Sequence, residues 1–322
     1  RSFHVTGVQT CALPIYTAPL LSGAVPIEGI EPNFIRVMPQ IGAFRRMVRH
    51  LEFDVCELAP TTYIIARAHG APFTALPIFV TRRFHHAGLL VRPDAGIKHP
   101  KDLEGRKVGV RAYSVTTGVW TRGILIDEYG LDSSKVTWVV DDEEHVTQLK
   151  LPPNISIERH TDRTLSDMLL RGEIDAILSA RQPDAYGKGA VRLFEDYQPA
   201  EEAWYRDTGI YPIMHVAAIR TEVLDRHPWI ARNLFQAFEE AKRRSYDRLS
   251  DIAASGAPVA WLSDIMRRQR ALFGDDPFPY GLEKNYKTLD AFLQFGFEQG
   301  VCHARIKPED LFPKSMQASF KV

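Results

Sequence analysis

The sequence predicts a two-lobed α/β protein with two mostly parallel sheets, helices on both faces of each, and a central cleft. Three observations predict it. Short apolar runs alternate with helical patterns between residues 53 and 178, the order that builds βαβ units and a parallel sheet. Two apolar stretches, near 80–91 and at 211–219 (YPIMHVAAI), bracket a central block, as strands that leave one lobe and return to it would. The length of 322 residues suits one large or two medium domains with a sizeable core. On this reading residues 16–85 and 216–322 form the first lobe and 86–215 the second. Ligands in this class bind at the carboxyl ends of strands, in the crevice between lobes.

Residues 1–15 stand apart from the fold. Val5 to Ile15, VTGVQTCALPI, looks like the in-frame translation of a widely used sequencing adapter. The expectation is that residues 1–15 are non-native, and that any native first strand or signal peptide was replaced with them.

From Leu20, LLSGAVPIEGIEPNFIRV reads as a short helix, a Pro/Gly turn and a strand around Phe34 to Val37. Ile41 to His50 is a helix with Phe44, Met47 and Val48 on one face, Phe53 to Leu58 a strand, and Thr61 to His69 the next helix. Ala75 to Val80 and His86 to Val91 are strands on either side of Thr81–His85. The stretch 101–130 is the central unit. Asp102 to Gly105 is a turn, Lys107 to Val110 a buried strand, and Tyr113 to Thr117 a polar loop before an amphipathic helix that pairs Trp120 with Ile124 and Leu125 with Tyr129. Ser114, Thr116 and Thr117 are candidate N-caps, so free N–H groups and a positive dipole end would meet an anion there. Every α/β crossover also starts a helix somewhere, and that plainer reading stands beside it.

Val136 to Val140 is a further strand, followed by an acidic loop, Asp141 to His145. Asp162 to Arg171 is a helix that Asp162 or Thr164 caps and Gly172 stops, with the strand Ile174 to Leu178 after it. Beyond the apolar strand Tyr211 to Ile219, three helices are expected over Pro228–Leu249, Ala260–Phe273 and Tyr286–Gly300.

Composition excludes several function classes. Lys+Arg and Asp+Glu are equal at 40 each, so no global field favours nucleic acid or an anionic membrane. No apolar run approaches about 18 residues. Of three cysteines, Cys11 falls in the adapter-like segment, while Cys56 and Cys302 make neither a disulfide framework nor a zinc pattern. A reduced, cytoplasmic setting is therefore expected. His85 and His86 point to opposite sides of an extended segment, and no HxH or HExxH spacing occurs, so no metal site is expected. Asp141-Asp142-Glu143-Glu144 reads as a solvated loop.

DLEGRKVGV with a Thr-bearing helix start, and RGEIDAILSA, resemble the type II periplasmic-binding-protein fold. Four further stretches, FDVCELAPTTY, PIFVTRRFHH, VWTRGILIDEYG and GIYPIMHVAAIR, look like the 4,5-dihydroxyphthalate decarboxylase family, a cytoplasmic branch of that fold. The resemblance covers residues 17–322. Relatives read roughly F-P-S-R-x-F-R-H at the second bridge, so Arg82, Phe84 and His86 fit and His85 stands where Arg is usual. Their N-terminal Y-D-R-T loop survives only as Thr17. The resemblance implies decarboxylation of 4,5-dihydroxyphthalate to protocatechuate and carbon dioxide, a small aromatic dicarboxylate as partner, and a homo-oligomer.

That chemistry is a reversed aromatic substitution, in which the catechol is the electron sink and no organic cofactor is needed. The site must clamp two carboxylates, place a general acid near the ipso carbon and orient the hydroxyls. Arg82, Arg181 and Arg163 are candidate clamps, because the planar guanidinium suits bidentate carboxylate binding. Each is also readable as a solvated surface residue. His215, placed by the resemblance at the lobe crossing, is the candidate general acid, with His86 second. A lone His in an apolar strand is also a common hydrogen-bonded core residue. Glu57 and Asp54 would accept from the hydroxyls, or else cap the helix after them. Tyr113, Thr116 and Thr117 would contact a carboxylate. The rival reading is a substrate receptor of an ABC importer for an aromatic or sulfonate-like anion, since fold alone does not decide function.

Overall fold

The structure is a computed structural model describing residues 8–9, 17–251, 253 and 257–318. In chain order the first elements are β1 (Val8–Gln9), α1 (Ala18–Leu21), α2 (Gln40–His50), β2 (Val55–Leu58), α3 (Pro60–Ala68), β3 (Phe73–Ala75), β4 (Thr81–Arg82) and β5 (Leu89–Val91). Then come β6 (Lys107–Val110), α4 (Thr116–Tyr129), β7 (Thr137–Val140), β8 (Ile157–Arg159), α5 (Leu165–Leu170), β9 (Ala176–Leu178), β10 (Val191–Arg192) and α6 (Tyr197–Thr208). The last are β11 (Ile213–Arg220), α7 (Thr221–Arg226), α8 (Ile230–Ser250), α9 (Leu262–Phe273) and α10 (Tyr286–Glu298).

The chain divides into two units, 1–82 with 213–286 and 307–322, and 83–212 with 287–306. The boundaries at 82/83 and 212/213 fall three residues before those read from the sequence. Residues 287–306, expected in the first lobe, belong to the second unit. Apart from β1, the adapter-like segment lies outside the described residues.

The first unit is built on β11, whose run IMHVAAIR supplies β-branched and apolar side chains over eight residues. β11 lies antiparallel to β2, β3 and β4, and β1 pairs in parallel with the far side of β2. Phe53, Cys56, Leu58, Leu76, Ala218 and Ile219 are fully buried in its core.

The second unit holds a six-stranded sheet in the order β10-β5-β9-β6-β7-β8. Strands β9, β6, β7 and β8 run parallel, with β8 at the edge, and β5 is antiparallel to both β9 and β10. α4 is the helix expected after β6, but it is not amphipathic: Thr116 to Leu125 are all buried. The cause is the 287–306 segment. The Phe292 ring packs 5.0 Å from Trp120 and the Phe295 ring 5.8 Å from it. Phe295 also lies so close over Gly123 that a Cβ there would overlap its ring.

Other expectations need correction. Phe34 to Val37 is irregular rather than a strand. Ala75 to Val80 is mostly an irregular buried run, tied to β11 by Leu76 N–H to Ala217 O and Ala217 N–H to Ile78 O. His86–Gly88 is a 3₁₀ turn, and the strand begins only at Leu89. Thr164, not Asp162, caps α5 by accepting from Asp167 N–H at 3.1 Å. α6 lies in a stretch with no expected element; Asp196 at its N-cap and Gly209 at φ 67° after its end are the signals that mark it.

Candidate active site

In the first unit, β-sheet register brings three polar side chains to one face. Glu57 on β2 lies opposite Ala217 on β11, and His215 lies opposite Thr81 on β4. Because strand side chains alternate, His215 and Ala217 share a face, so Glu57 reaches His215 on the diagonal. The register of β11 and β4 shifts between Ile213 and His215, an irregularity of the kind that re-aims side chains beside sites.

His215 Nδ1 stands 2.6 Å from Glu57 Oε1. Two lone pairs at that distance would repel, so the proton sits on Nδ1 and the imidazole donates to the carboxylate. Thr81 Oγ1 donates to the same oxygen at 3.4 Å, and Gln40, first residue of α2, stands with its Nε2 3.2 Å from His215 Nδ1, a contact rather than a hydrogen bond once Nδ1 carries the proton. The edge of the His215 ring meets Phe44 at 5.3 Å between centroids, with the planes at 78°. Glu57 is nearly fully enclosed at 2% side-chain exposure and His215 keeps 16%. The pair therefore fixes the tautomer and ring plane and presents Nε2, which has no hydrogen-bond partner among the described residues. This is a proton donor or acceptor held by a buried carboxylate.

In the second unit, the loop before α4 makes a different constellation. The N-cap of α4 is Val115, with no side-chain cap. Ser114 is instead drawn to the acidic loop: its N–H donates to Glu144 Oε1 at 3.2 Å and its hydroxyl donates to Glu144 Oε2. That loop is therefore more than a solvated run. Asp141 also accepts from Leu165 N–H at 3.2 Å, and burial raises its pKa.

Comparison with known proteins follows the same division between fold and site. A family model described as "ABC transporter, phosphonate, periplasmic substrate-binding protein" matches residues 31–151. A periplasmic sulfonate-binding protein of Methylobacillus flagellatus covers 98% of this chain and 92% of its own, with TM-score 0.54 at 13% identity. The aliphatic sulphonate binding protein of Escherichia coli gives the same TM-score, 0.54, over 99% of this chain and 94% of its own, at 13% identity. The desulfurization enzyme DSZB covers 97% of both chains with TM-score 0.50 at 16% identity. At such identities they establish the periplasmic-binding-protein fold alone. The sequence relatives go further. The 4,5-dihydroxyphthalate decarboxylase of Comamonas testosteroni is 36% identical over 314 residues, 94% of this chain and 95% of its own. The chain belongs to the 4,5-dihydroxyphthalate decarboxylase family. A member from Pseudomonas putida is 37% identical over 198 residues, 58% of this chain and 76% of its own.

Within this family member, the structure sorts the residues singled out from the sequence. It joins His215 and Glu57 directly. Asp54 faces Arg220 instead, with its Oδ1 3.4 Å from Nη1. Arg82 is buried and donates through Nη2 to Pro279 O at 2.9 Å and to Asn285 Oδ1, so it ties β4 to its own unit. Arg163 is held by Asp162 and Glu173, both 2.8 Å away. Arg181, exposed after β9, has a guanidinium with no partner among the described residues and is the clamp candidate left unengaged.

Tyr113 turns inward: its ring lies 3.9 Å under the Arg122 guanidinium and its hydroxyl donates to Gln299 O at 3.4 Å. Thr116 and Thr117 occupy the first turn of α4. His86 does not suit a general acid. It is buried with its ring 5.0 Å from Phe194, neither ring nitrogen has a hydrogen-bond partner among the described residues, and burial pushes its pKa down to about 4.

Sequence reasoning missed Gln40, Thr81, Arg122 and Glu144. For Arg122 a signal existed, a lone charge inside the apolar run VWTRGILI. For Thr81 and Gln40 none did, because β4–β11 pairing and the start of α2 place them. Among the described residues no group of three or more His, Cys, Asp or Glu could hold a metal ion, and no helix is long and apolar enough to cross a membrane.

Proposed function

We propose that the chain decarboxylates 4,5-dihydroxyphthalate to protocatechuate and carbon dioxide, with His215 as general acid and no organic cofactor. The observation that carries the residue assignment is the 2.6 Å contact between His215 Nδ1 and Glu57 Oε1. The substrate comes from the family to which the chain belongs.

In this mechanism Nε2 of the protonated imidazole delivers its proton to the ring carbon bearing a carboxylate. Positive charge spreads onto the hydroxyl para to that carbon. The carbon–carboxylate bond then breaks, its electron pair restores the aromatic ring, and carbon dioxide leaves. Solvent reprotonates Nε2, so one proton is consumed per turnover. Glu57 keeps Nδ1–H in place and stabilises the imidazolium, so the transferable proton is always the one on Nε2. Arg181 is assigned to a substrate carboxylate on the strength of its unengaged guanidinium. A cytoplasmic setting is supported by Cys56 and Cys302, both buried thiols and neither in a disulfide.

The test is a chromatographic assay with 4,5-dihydroxyphthalate and no added metal or cofactor; stoichiometric protocatechuate is the expected product. The family-model match over residues 31–151 favours one second reading, a binding protein for an aromatic or sulfonate-like anion. Saturable binding of such an anion without turnover would select it.

A further inference from the structure

The peptide joining Tyr113 and Ser114 is gripped from both ends. Its carbonyl accepts from Arg122 Nη2 at 2.7 Å, and its N–H donates to Glu144 Oε1 at 3.2 Å. Hydrogen bonds at the two ends of one peptide polarise it in the same sense and strengthen each other. A positive charge on one side is thereby coupled to a negative charge on the other.

Arg122 is an expensive residue to keep. It is fully buried, with Nε donating to Gln299 Oε1 at 2.7 Å and its guanidinium 5.0 Å over Trp138. Among the described residues Nη1 has no hydrogen-bond partner. It lies against the first turn of α4, where a Cβ added at Gly118 would stand 2.9 Å from it. A buried cation at the positive end of a helix is disfavoured by both desolvation and the dipole. Burial lowers the Arg122 pKa, and the neighbouring Tyr113 and Glu144 oppose this.

We infer that the start of α4 is a carboxylate site whose buried counter-charge is Arg122, and that Glu144 occupies it until a substrate carboxylate displaces it. The identity of the substrate rests on the proposed decarboxylase function; the site itself does not. Glu144 is then an internal competitor, and the affinity of an incoming carboxylate is reduced by the fraction of chains in which Glu144 holds Ser114. Arg122 is a positioning residue, acting on the anion through the Tyr113–Ser114 peptide. Gly118 is part of the device, because only an absent Cβ leaves room for Nη1 beside the helix turn.

The test is calorimetric titration of the full chain with phthalate, which carries both carboxylates but lacks the hydroxyls needed as electron sink. Glu144→Gln should bind phthalate about tenfold more tightly than the parent, since the amide is a poorer occupant than a carboxylate. Gly118→Ala placed in the Glu144→Gln chain should reverse that gain by displacing Nη1. Circular dichroism on each variant separates a binding effect from misfolding. Unchanged or weaker phthalate binding by a folded Glu144→Gln chain would overturn the inference, as would indifference to Gly118→Ala. Tight phthalate binding without turnover of 4,5-dihydroxyphthalate would defeat the decarboxylase reading and leave this site standing.

Discussion

His215 offers one ring nitrogen to chemistry because the other is held by a carboxylate with 2% of its surface exposed. Glu57→Gln replaces that acceptor by an amide, which allows the wrong tautomer and removes the charge that stabilises the imidazolium. It is expected to lower kcat by about 10²–10³ with KM little changed, measured by steady-state product formation. The arginines separate in the same assay. Arg181→Ala removes a guanidinium with no partner among the described residues and should raise KM for the dicarboxylate at least about tenfold. Arg163→Ala breaks two exposed ion pairs and should leave kcat, KM and the urea unfolding midpoint unchanged.

At the scale of elements, α4 owes its burial to the returning segment 287–306. Gly123 is the closest approach, and Gly123→Ala should cost about 1–3 kcal/mol in urea unfolding followed by tryptophan fluorescence, because the Phe295 ring must move within a packed interior. Elements with strong local signatures were legible in the sequence. Lys107 to Val110 is a β-branched run, Thr164 caps α5, and Gly172 at φ 75° ends the turn after it. The all-round burial of α4 was not legible, since it depends on residues more than 160 positions later. The site shows the same contrast. His215 stands out as a polar residue in an apolar strand, and Glu57 as a charge inside the buried strand β2. Thr81 and Gln40 join them only through β4–β11 pairing and the start of α2. Glu144 was hidden by its neighbours, because three acidic residues beside it make a solvated loop the simplest reading. The ion pairs and carbonyl contacts that take up Arg163 and Arg82 are likewise tertiary facts.

For the whole molecule, the pH dependence of stability follows from three buried groups in the second unit. Burial lowers the pKa of His85 to about 3 and of His86 to about 4, so the folded chain keeps both neutral while the unfolded chain takes up protons below about 6.5. Each therefore removes stability as pH falls through that window. Glu201, which accepts from Ala87 N–H at 3.2 Å, has the opposite sign. Burial raises its pKa to about 7, so the folded chain holds a proton that the unfolded chain releases from about 4.5 upward. Between about pH 4.5 and 6.5 two histidines oppose one carboxyl, a net loss on acidification of about 1 kcal/mol per pH unit from these groups. Removing the opposing carboxyl with Glu201→Gln should steepen the slope by about the same amount, read from urea midpoints across that range. An unchanged slope would remove Glu201 from the linkage.

The central claim is that His215 delivers the proton that replaces the carboxylate. Its most direct test is kcat for conversion of 4,5-dihydroxyphthalate to protocatechuate by the parent and by His215→Asn, at saturating substrate and without added cofactor. The account predicts turnover by the parent and a fall of about 10²–10⁴ in the variant. A parent that does not turn over, or a variant within about threefold of it, would contradict the account.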